Sequence, residues 1–142
     1  MAEITLRKAK TIIKAALAEA KTRGFNPLAV VVLDAGGHLK AAEREDATSA
    51  GRAAVAEAKA YGAVMLGMSG SALRDRAEIA PQFVSAANGV FGGKLVPVPG
   101  GVLVRDSKGA LIGAVGVSGD TSDNDAIAAM AGITAAGLVG EV

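Results

Sequence analysis

Cysteine is absent from this chain of 142 residues, and histidine occurs once, as His38. Without cysteine the chain has no disulfides, iron–sulfur clusters, thiolate zinc sites or cysteine nucleophile. A single imidazole also excludes a metal centre built from several histidines of one chain. The lack of cysteine fits a reducing compartment, and we expect a cytoplasmic protein.

Aromatic residues and excess charge are also scarce. Aromatic types make up 3% of the chain, and 15 basic residues nearly balance 14 acidic ones, for a net charge of +1. Nucleic-acid-binding proteins usually carry a basic surface and aromatic rings on which bases stack. We therefore expect no nucleic-acid partner.

Long apolar runs are missing as well. The longest uncharged stretch, from Ala126 to Gly140, is shorter than the roughly 20 residues that a membrane-spanning helix needs. Charged residues are spaced through the first 14 positions, where a secretory signal would carry an apolar core. We expect neither a membrane span nor secretion.

Small side chains are what the sequence has in abundance. Alanine occupies 31 positions and glycine 19, which together are 50 of 142 residues. Small residues allow close packing but bury little area each, so association between copies would add stability. We expect a homo-oligomer that pairs through one face of the last helix, formed by Ala126, Ile127, Met130, Ile133, Thr134 and Leu138.

Periodicity and turn residues predict five helices and five strands. The helices are predicted at Leu6–Arg23 (capped by Thr5 and ended by Gly24), from Thr48 or Ser49 to Leu66, at Ser71–Glu78, at Pro81–Asn88, and from a Ser122 cap to Val139. The strands are predicted at Leu28–Leu33, His38–Arg44, Leu95–Val98, Val102–Arg105 and Ala110–Val117. Hairpins rather than alternating strands and helices predict a single α+β domain over residues 1–142, with helices packed on an antiparallel sheet.

Common catalytic motifs are absent: there is no dinucleotide-binding G-x-G-x-x-G, no P-loop and no G-x-S-x-G. Two glycine-containing loops remain, namely Pro99-Gly100-Gly101 and Ser118-Gly119. Backbone amides in such loops can hold an anion, especially where a helix begins next, near Asp125. The loops flank adjacent strands, which predicts a ligand pocket between them; the alternative is that they are ordinary turns and that Asp125 belongs to a helix cap.

Three side chains are candidates for chemistry. His38, at a glycine turn, could ligate haem iron or carry a proton, or could simply be a polar turn residue. Arg44 could hold a carboxylate or a haem propionate in a bidentate contact, or could lie in solvent at a strand end. With Asp125, these residues form a candidate catalytic set for a small organic acid.

Five segments in order resemble the GlcG/HbpS-like family of haem-binding or haem-degrading domains. Val31 to Leu39 resembles the family pattern V-V-D-x-G-G-H-L, and Arg44 to Ala47 resembles R-M-D-x-A. The helix with Ala56, Lys59 and Ala60 resembles I-A-x-x-K-A. Val96 to Val102 resembles P-G-G-V, and Ile112 to Gly119 resembles I-G-A-I-G-V-S-G. The similarity runs from about Thr5 to Gly137, and Glu45 stands where the family usually has methionine.

The resemblance implies a profilin-like α+β domain with a five-stranded antiparallel sheet, assembled into dimers or larger rings. Some members of the family bind haem, and others form the C-terminal domain of PduO-type corrinoid adenosyltransferases. The sequence therefore leaves three functions open. They are a haem or tetrapyrrole-binding protein with His38 at the iron, a small enzyme that transfers protons on an organic acid, and a non-catalytic assembly module.

Overall fold

The computed structural model describes residues 3–142. Ten elements follow one another in the order α1 (Leu6–Arg23), β1 (Ala29–Asp34), β2 (Leu39–Arg44), α2 (Arg52–Leu66), α3 (Gly70–Ile79), α4 (Pro81–Val90), β3 (Gly101–Arg105), β4 (Leu111–Ser118), α5 (Ser122–Ala135) and β5 (Val139–Glu141). The strands form one sheet in the order β2-β1-β4-β3-β5, and every neighbouring pair is antiparallel. The predicted α+β class with a five-stranded antiparallel sheet is confirmed.

The sheet separates two cores because alternate residues of a strand point to opposite faces. Val30 and Val32 of β1 join the larger core beneath α1 and α5, whereas Val31 and Leu33 pack against α2. A third cluster, around Leu73, lies between the helices α2 to α4. The sheet is therefore covered on both faces, and open surface lies at its ends and on the outer sides of the helices.

Helix α1 has the capping that its sequence predicts. The Thr5 hydroxyl accepts a hydrogen bond from the Lys8 N–H at 3.1 Å, and Gly24 adopts the left-handed conformation with φ 73°. Both ends of the helix are thus satisfied by local chemistry.

Three predictions for the ends of helices are wrong. Helix α2 begins at Arg52 rather than at Thr48 or Ser49, because the chain first turns through Ala47 in a left-handed conformation. Helix α5 is capped by Thr121, whose hydroxyl accepts from the Asn124 N–H, and not by Ser122. It ends at Ala135, so the segment up to Val139 is not helical.

The fifth strand is not the one predicted. Leu95–Val98 forms no strand, because Leu95 is buried against α2 and Val98 lies against the start of α3. The edge of β3 pairs instead with Val139–Glu141, where Arg105 Nε and Glu141 Oε1 lie 2.9 Å apart.

The predicted association face of the last helix divides between interior and surface. Ala126, Ile133 and Leu138 are buried in the chain's own core, because α5 packs directly on α1. A Cβ on Gly132 would lie 2.3 Å from the Ile12 carbonyl oxygen, which shows how close the two helices approach. Only the outer side of α5 is free for a partner.

Candidate functional site

The two glycine loops of the sequence lie side by side at one end of the sheet. Gly101 pairs with Gly116, and the Val117 N–H donates to the Gly100 carbonyl at 2.9 Å. The Pro99-Gly100-Gly101 loop leads into β3, and the Ser118-Gly119 loop leads from β4 to α5. The space between Gly100 and Asp125 is occupied, however, since a Cβ on Gly100 would lie 2.9 Å from Lys59 Nζ and 3.1 Å from Asp125 Cβ.

Lys59 and Asp125 form a buried ion pair beneath these loops. Lys59 Nζ donates to Asp125 Oδ2 and to the Val117 carbonyl, each at 3.0 Å. The two side chains are 3% and 1% exposed. The other carboxylate oxygen of Asp125 accepts from the Asp120 N–H at 3.0 Å. The pair therefore joins α2, β4 and the start of α5, and it holds the loop that follows Ser118.

The two carboxyl groups in this region have pKa values shifted in opposite directions. Burial raises the pKa of Asp125 above its ordinary value of 3.8, against the opposing effects of the Lys59 charge and its hydrogen bonds. Hydrogen bonds from the backbone of Asn26 and Thr121 and from the Asn124 side chain lower the pKa of Asp120. Asp120 is thus held as an anion at the surface, and the charge of Asp125 depends on Lys59.

Sequence reasoning missed the partner of Asp125. Lys59 lies on the buried face of α2 with Ala56 and Ala60, and all three are buried. A lone lysine on an otherwise apolar helix face was the available signal, because a lysine is almost never fully buried unless it is paired.

His38 lies at the opposite end of the sheet from the ion pair. It is exposed at the hairpin turn after Asp34, whose carboxylate accepts from the backbone N–H groups of Gly36 and His38 at 2.9 Å. Asp34 pairs with Gly113 and Ala29 with Ser118, so five residues of β1, roughly 16 Å, separate the two ends.

Arg44 lies on the edge strand β2 and supports a loop. Its Nη1 donates to the Thr48 carbonyl at 2.8 Å, and the neighbouring Glu45 carboxylate accepts from the Leu28 N–H at 2.8 Å. The structure therefore does not bring His38, Arg44 and Asp125 together as one catalytic set. Asp125 is buried, and His38 is a strand length away.

The hairpin that carries His38 is flanked by α2. A Cβ on Gly37 would lie 2.8 Å from Met65 Cε and 3.0 Å from the Tyr61 ring, so glycine allows the turn to pack on this helix. Leu39, next to His38, is 63% exposed. His38 thus lies on an exposed turn that packs on α2 through Gly37.

Two cavities lie away from this hairpin. A groove of about 680 Å³ follows the outer side of α5, with Pro99, Ile127 and Met130 among its lining residues. A smaller cavity of about 290 Å³ lies where Asn26, Thr48, Arg52 and Gly119 meet. Each includes one residue of the predicted glycine loops.

Two features are absent from residues 3–142. No three or more His, Asp or Glu side chains are grouped so that they could hold a metal ion. No helix in the same part of the chain is long and apolar enough to cross a membrane. A metal carried by a prosthetic group requires fewer protein ligands than such a cluster supplies.

Comparisons with known proteins agree with the fold. The family model described as haem degrading protein, HbpS-like, matches residues 4–134. A crystal structure of HbpS is 27% identical with a TM-score of 0.82, covering 94% of this chain and 90% of that one. A double mutant of HbpS from Streptomyces reticuli is also 27% identical, with a TM-score of 0.81 and coverage of 94% and 87%.

Two further structures show the same fold at lower identity. A complex of PduOC with haem is 24% identical, with a TM-score of 0.83 and coverage of 94% and 95%. The protein ORFY of Klebsiella pneumoniae is 22% identical, with a TM-score of 0.84 and coverage of 96% and 93%. No curated protein matches the chain at a significant level. Because the family model matches most of its length, this chain belongs to the HbpS-like family of haem-degrading proteins.

Proposed function

We propose that this protein binds haem, with the His38 imidazole as a ligand of the iron. The observation that carries the proposal is the match of residues 4–134 to the HbpS-like family. A protein of the same fold, PduOC, has been crystallised with haem, which is consistent with this function.

The surroundings of His38 fit an iron ligand. A neutral imidazole is the most common protein ligand of metals. A Cβ on Gly36 would lie 3.2 Å from His38 Nε2, so the imidazole packs over this glycine and a side chain there would crowd it. In residues 3–142 the His38 ring makes no hydrogen bond, and all hydrogen bonds between this turn and Asp34 use backbone N–H donors.

Apolar side chains near His38 suit a porphyrin. Leu39 and Met65 lie beside the turn and could cover part of a flat apolar ring, while its carboxylates remain in water. Bound haem would supply an iron centre capable of redox change and ligand binding, and the chain would supply His38 and this apolar surface.

We also propose that the chain forms a homo-oligomer through the groove along α5. Ile127 is 37% exposed there, next to Met130, which is partly buried. Glu19 and Arg23 lie at the same groove and form an ion pair with each other, and in a twofold dimer this pair can also meet its copy on the second chain. Sedimentation at high micromolar concentration is expected to show a dimer or a larger species, and a monomer under those conditions would contradict the proposal.

Titration with haemin tests the haem proposal. The unmodified protein is expected to give a saturable Soret band, and His38→Ala is expected to shift that band or to lower affinity by about tenfold or more. Gln82→Ala, an exposed polar residue on α4, is the matched control and is expected to bind as the unmodified protein does. Adding imidazole to His38→Ala is expected to restore the spectrum of the unmodified protein.

Two results would overturn the assignment. If the unmodified protein shows no saturable haemin binding, the function is wrong. If His38→Ala keeps both spectrum and affinity, haem is bound elsewhere and His38 is a polar turn residue.

A further inference from the structure

The cavity of about 290 Å³ lies at the end of the sheet away from His38 and is not used by the haem proposal. Loops from four parts of the chain meet there: the segment before β1, the segment after β2, the start of α2 and the segment after β4. Its lining residues are Asn26, Pro27, Ala47, Thr48, Ser49, Arg52 and Gly119. Polar groups therefore converge from residues far apart in the sequence.

Arg52 is the cation of this cavity. Its side chain is partly buried, and its Nη1 donates to Ser118 Oγ at 3.1 Å. Ser118 is fully buried and fixes one edge of the guanidinium. A guanidinium has five N–H donors in a planar fork, and Arg52 makes no ion pair within residues 3–142. Most of its donor capacity is thus directed to solvent or to a ligand.

Two acidic residues near the cavity, Glu45 and Asp120, already have partners. Glu45 accepts from the Leu28 N–H at 2.8 Å, and Asp120 accepts from the Asn26 N–H at 2.7 Å. Neither carboxylate pairs with Arg52, but both place negative charge nearby. This charge disfavours a ligand with two negative charges, such as phosphate, more than one with a single charge.

We propose that this cavity binds a small monocarboxylate of about two to four carbons, with the Arg52 guanidinium in a bidentate contact to the carboxylate. The Ser49 hydroxyl lies in the same lining and can donate to the ligand, whereas the Thr48 hydroxyl already donates to the Leu28 carbonyl at 3.5 Å. The volume of about 290 Å³ suits such an acid and is at the low end of ligand pockets, too small to enclose a tetrapyrrole.

Backbone geometry at the cavity is consistent with a ligand site. Ala47 is the one non-glycine residue between positions 3 and 142 with a positive φ, at 67°. Strained residues of this kind cluster at binding sites, where the surrounding structure holds them in place. The strain supports the proposal, which rests on the cavity and on Arg52.

Titration of the labelled full chain with propionate, followed by amide NMR, tests the proposal. Saturable shifts are expected at Ser49, Arg52 and Gly119, and Arg52→Gln is expected to weaken binding by about tenfold or more, because an ionic hydrogen-bonding partner is lost. Glutamine is two bonds shorter than arginine and does not reach Ser118, so far-ultraviolet circular dichroism of Arg52→Gln is used to check that the fold is kept. Arg7→Gln removes the same charge from an exposed position on α1 and is expected to leave the affinity unchanged.

Neutral and dianionic probes give the remaining outcomes. Propionamide has nearly the shape of propionate without the charge, and it is expected not to bind. Phosphate that binds more tightly than propionate would overturn the assignment to a monocarboxylate. Absence of propionate shifts in the unmodified protein, or equal affinity in Arg52→Gln, would overturn the site itself. None of these measurements involves haem, so they are independent of the haemin titration.

Discussion

Lys59→Met should be among the most damaging single substitutions in this protein. It leaves Asp125, which is 1% exposed, without the cation that lies 3.0 Å from its Oδ2. The Val117 carbonyl loses the donor at 3.0 Å as well. Methionine fills the space of the lysine stem, so the change removes the charge and its hydrogen bonds with little change in packing.

The magnitude follows from burial and distance. Two unit charges 3.0 Å apart attract by about 5 kcal/mol at an effective dielectric constant of about 20. Desolvation offsets part of this attraction in the intact pair, but the isolated carboxylate retains its desolvation cost after substitution. We therefore expect Lys59→Met to lower the free energy of unfolding by about 3–5 kcal/mol at about pH 7.

The loss should depend on pH in a defined direction. Burial already raises the pKa of Asp125, and removing the Lys59 charge removes the largest opposing effect. A carboxyl group with a raised pKa in the folded state binds its proton more tightly there, so its contribution to stability falls as pH rises. The difference between Lys59→Met and the unmodified protein should therefore be largest near pH 7 and smaller near pH 4.

Urea unfolding followed by far-ultraviolet circular dichroism measures these differences, since the chain has no tryptophan. Combining Lys59→Met with Asp125→Asn should recover part of the loss, because the uncompensated charge is gone while an oxygen remains for the Asp120 N–H. Lys94→Met is the matched control. It breaks an exposed pair with Glu57 at 3.5 Å and should cost about 1 kcal/mol or less.

A Lys59→Met variant as stable as Lys94→Met would refute this prediction. A loss in the free energy of unfolding that is the same at pH 4 and pH 7 would also refute it. Either result would mean that water or a conformational change compensates the charge of Asp125. The Lys59–Asp125 ion pair would then not be what holds the loop after Ser118.

Two further predictions concern packing and acid stability. Gly116→Ala should lower the free energy of unfolding by more than about 2 kcal/mol in urea titrations, because its Cβ would lie 1.8 Å from the Ala56 carbonyl oxygen. Gly89→Ala is the control, because its Cβ would meet nothing within 4 Å. It should raise the free energy of unfolding by about 1 kcal/mol or less. Asp120→Asn should make the free energy of unfolding depend less on pH in the acidic range. Because the pKa of Asp120 is lowered in the folded state, its carboxylate stabilises the fold above pH 3.8, and this stabilisation is lost as pH falls. An unchanged acid-unfolding profile would contradict the role of its hydrogen bonds.

Local chemistry made much of the fold predictable. The Thr5 cap, the left-handed Gly24 and the apolar period between them define α1 within the chain segment itself. The turn after Asp34 is fixed by its own carboxylate, which accepts from Gly36 and His38. Such signals act over a few residues, so they can be recognised without knowing the rest of the structure.

Elements that depend on a distant partner were not predictable in the same way. Val139–Glu141 has only three residues, and it is a strand because β3 offers it a free edge. Leu95–Val98 has the composition of a strand but packs against α2 and α3 instead of pairing with a strand. Strand identity at a sheet edge is decided by pairing and packing more than by propensity.

The composition of the chain limits the functional groups available to the protein: it has no thiols, one imidazole, and glycine loops next to strands. The tertiary structure alone decided which of those groups meet. Lys59 and Asp125 are 66 positions apart yet lie 3.0 Å from each other, while His38 and Asp125 lie at opposite ends of the sheet. Ion pairs and cavities form between elements whose separation depends on the packing of the whole core, and no local pattern encodes that distance.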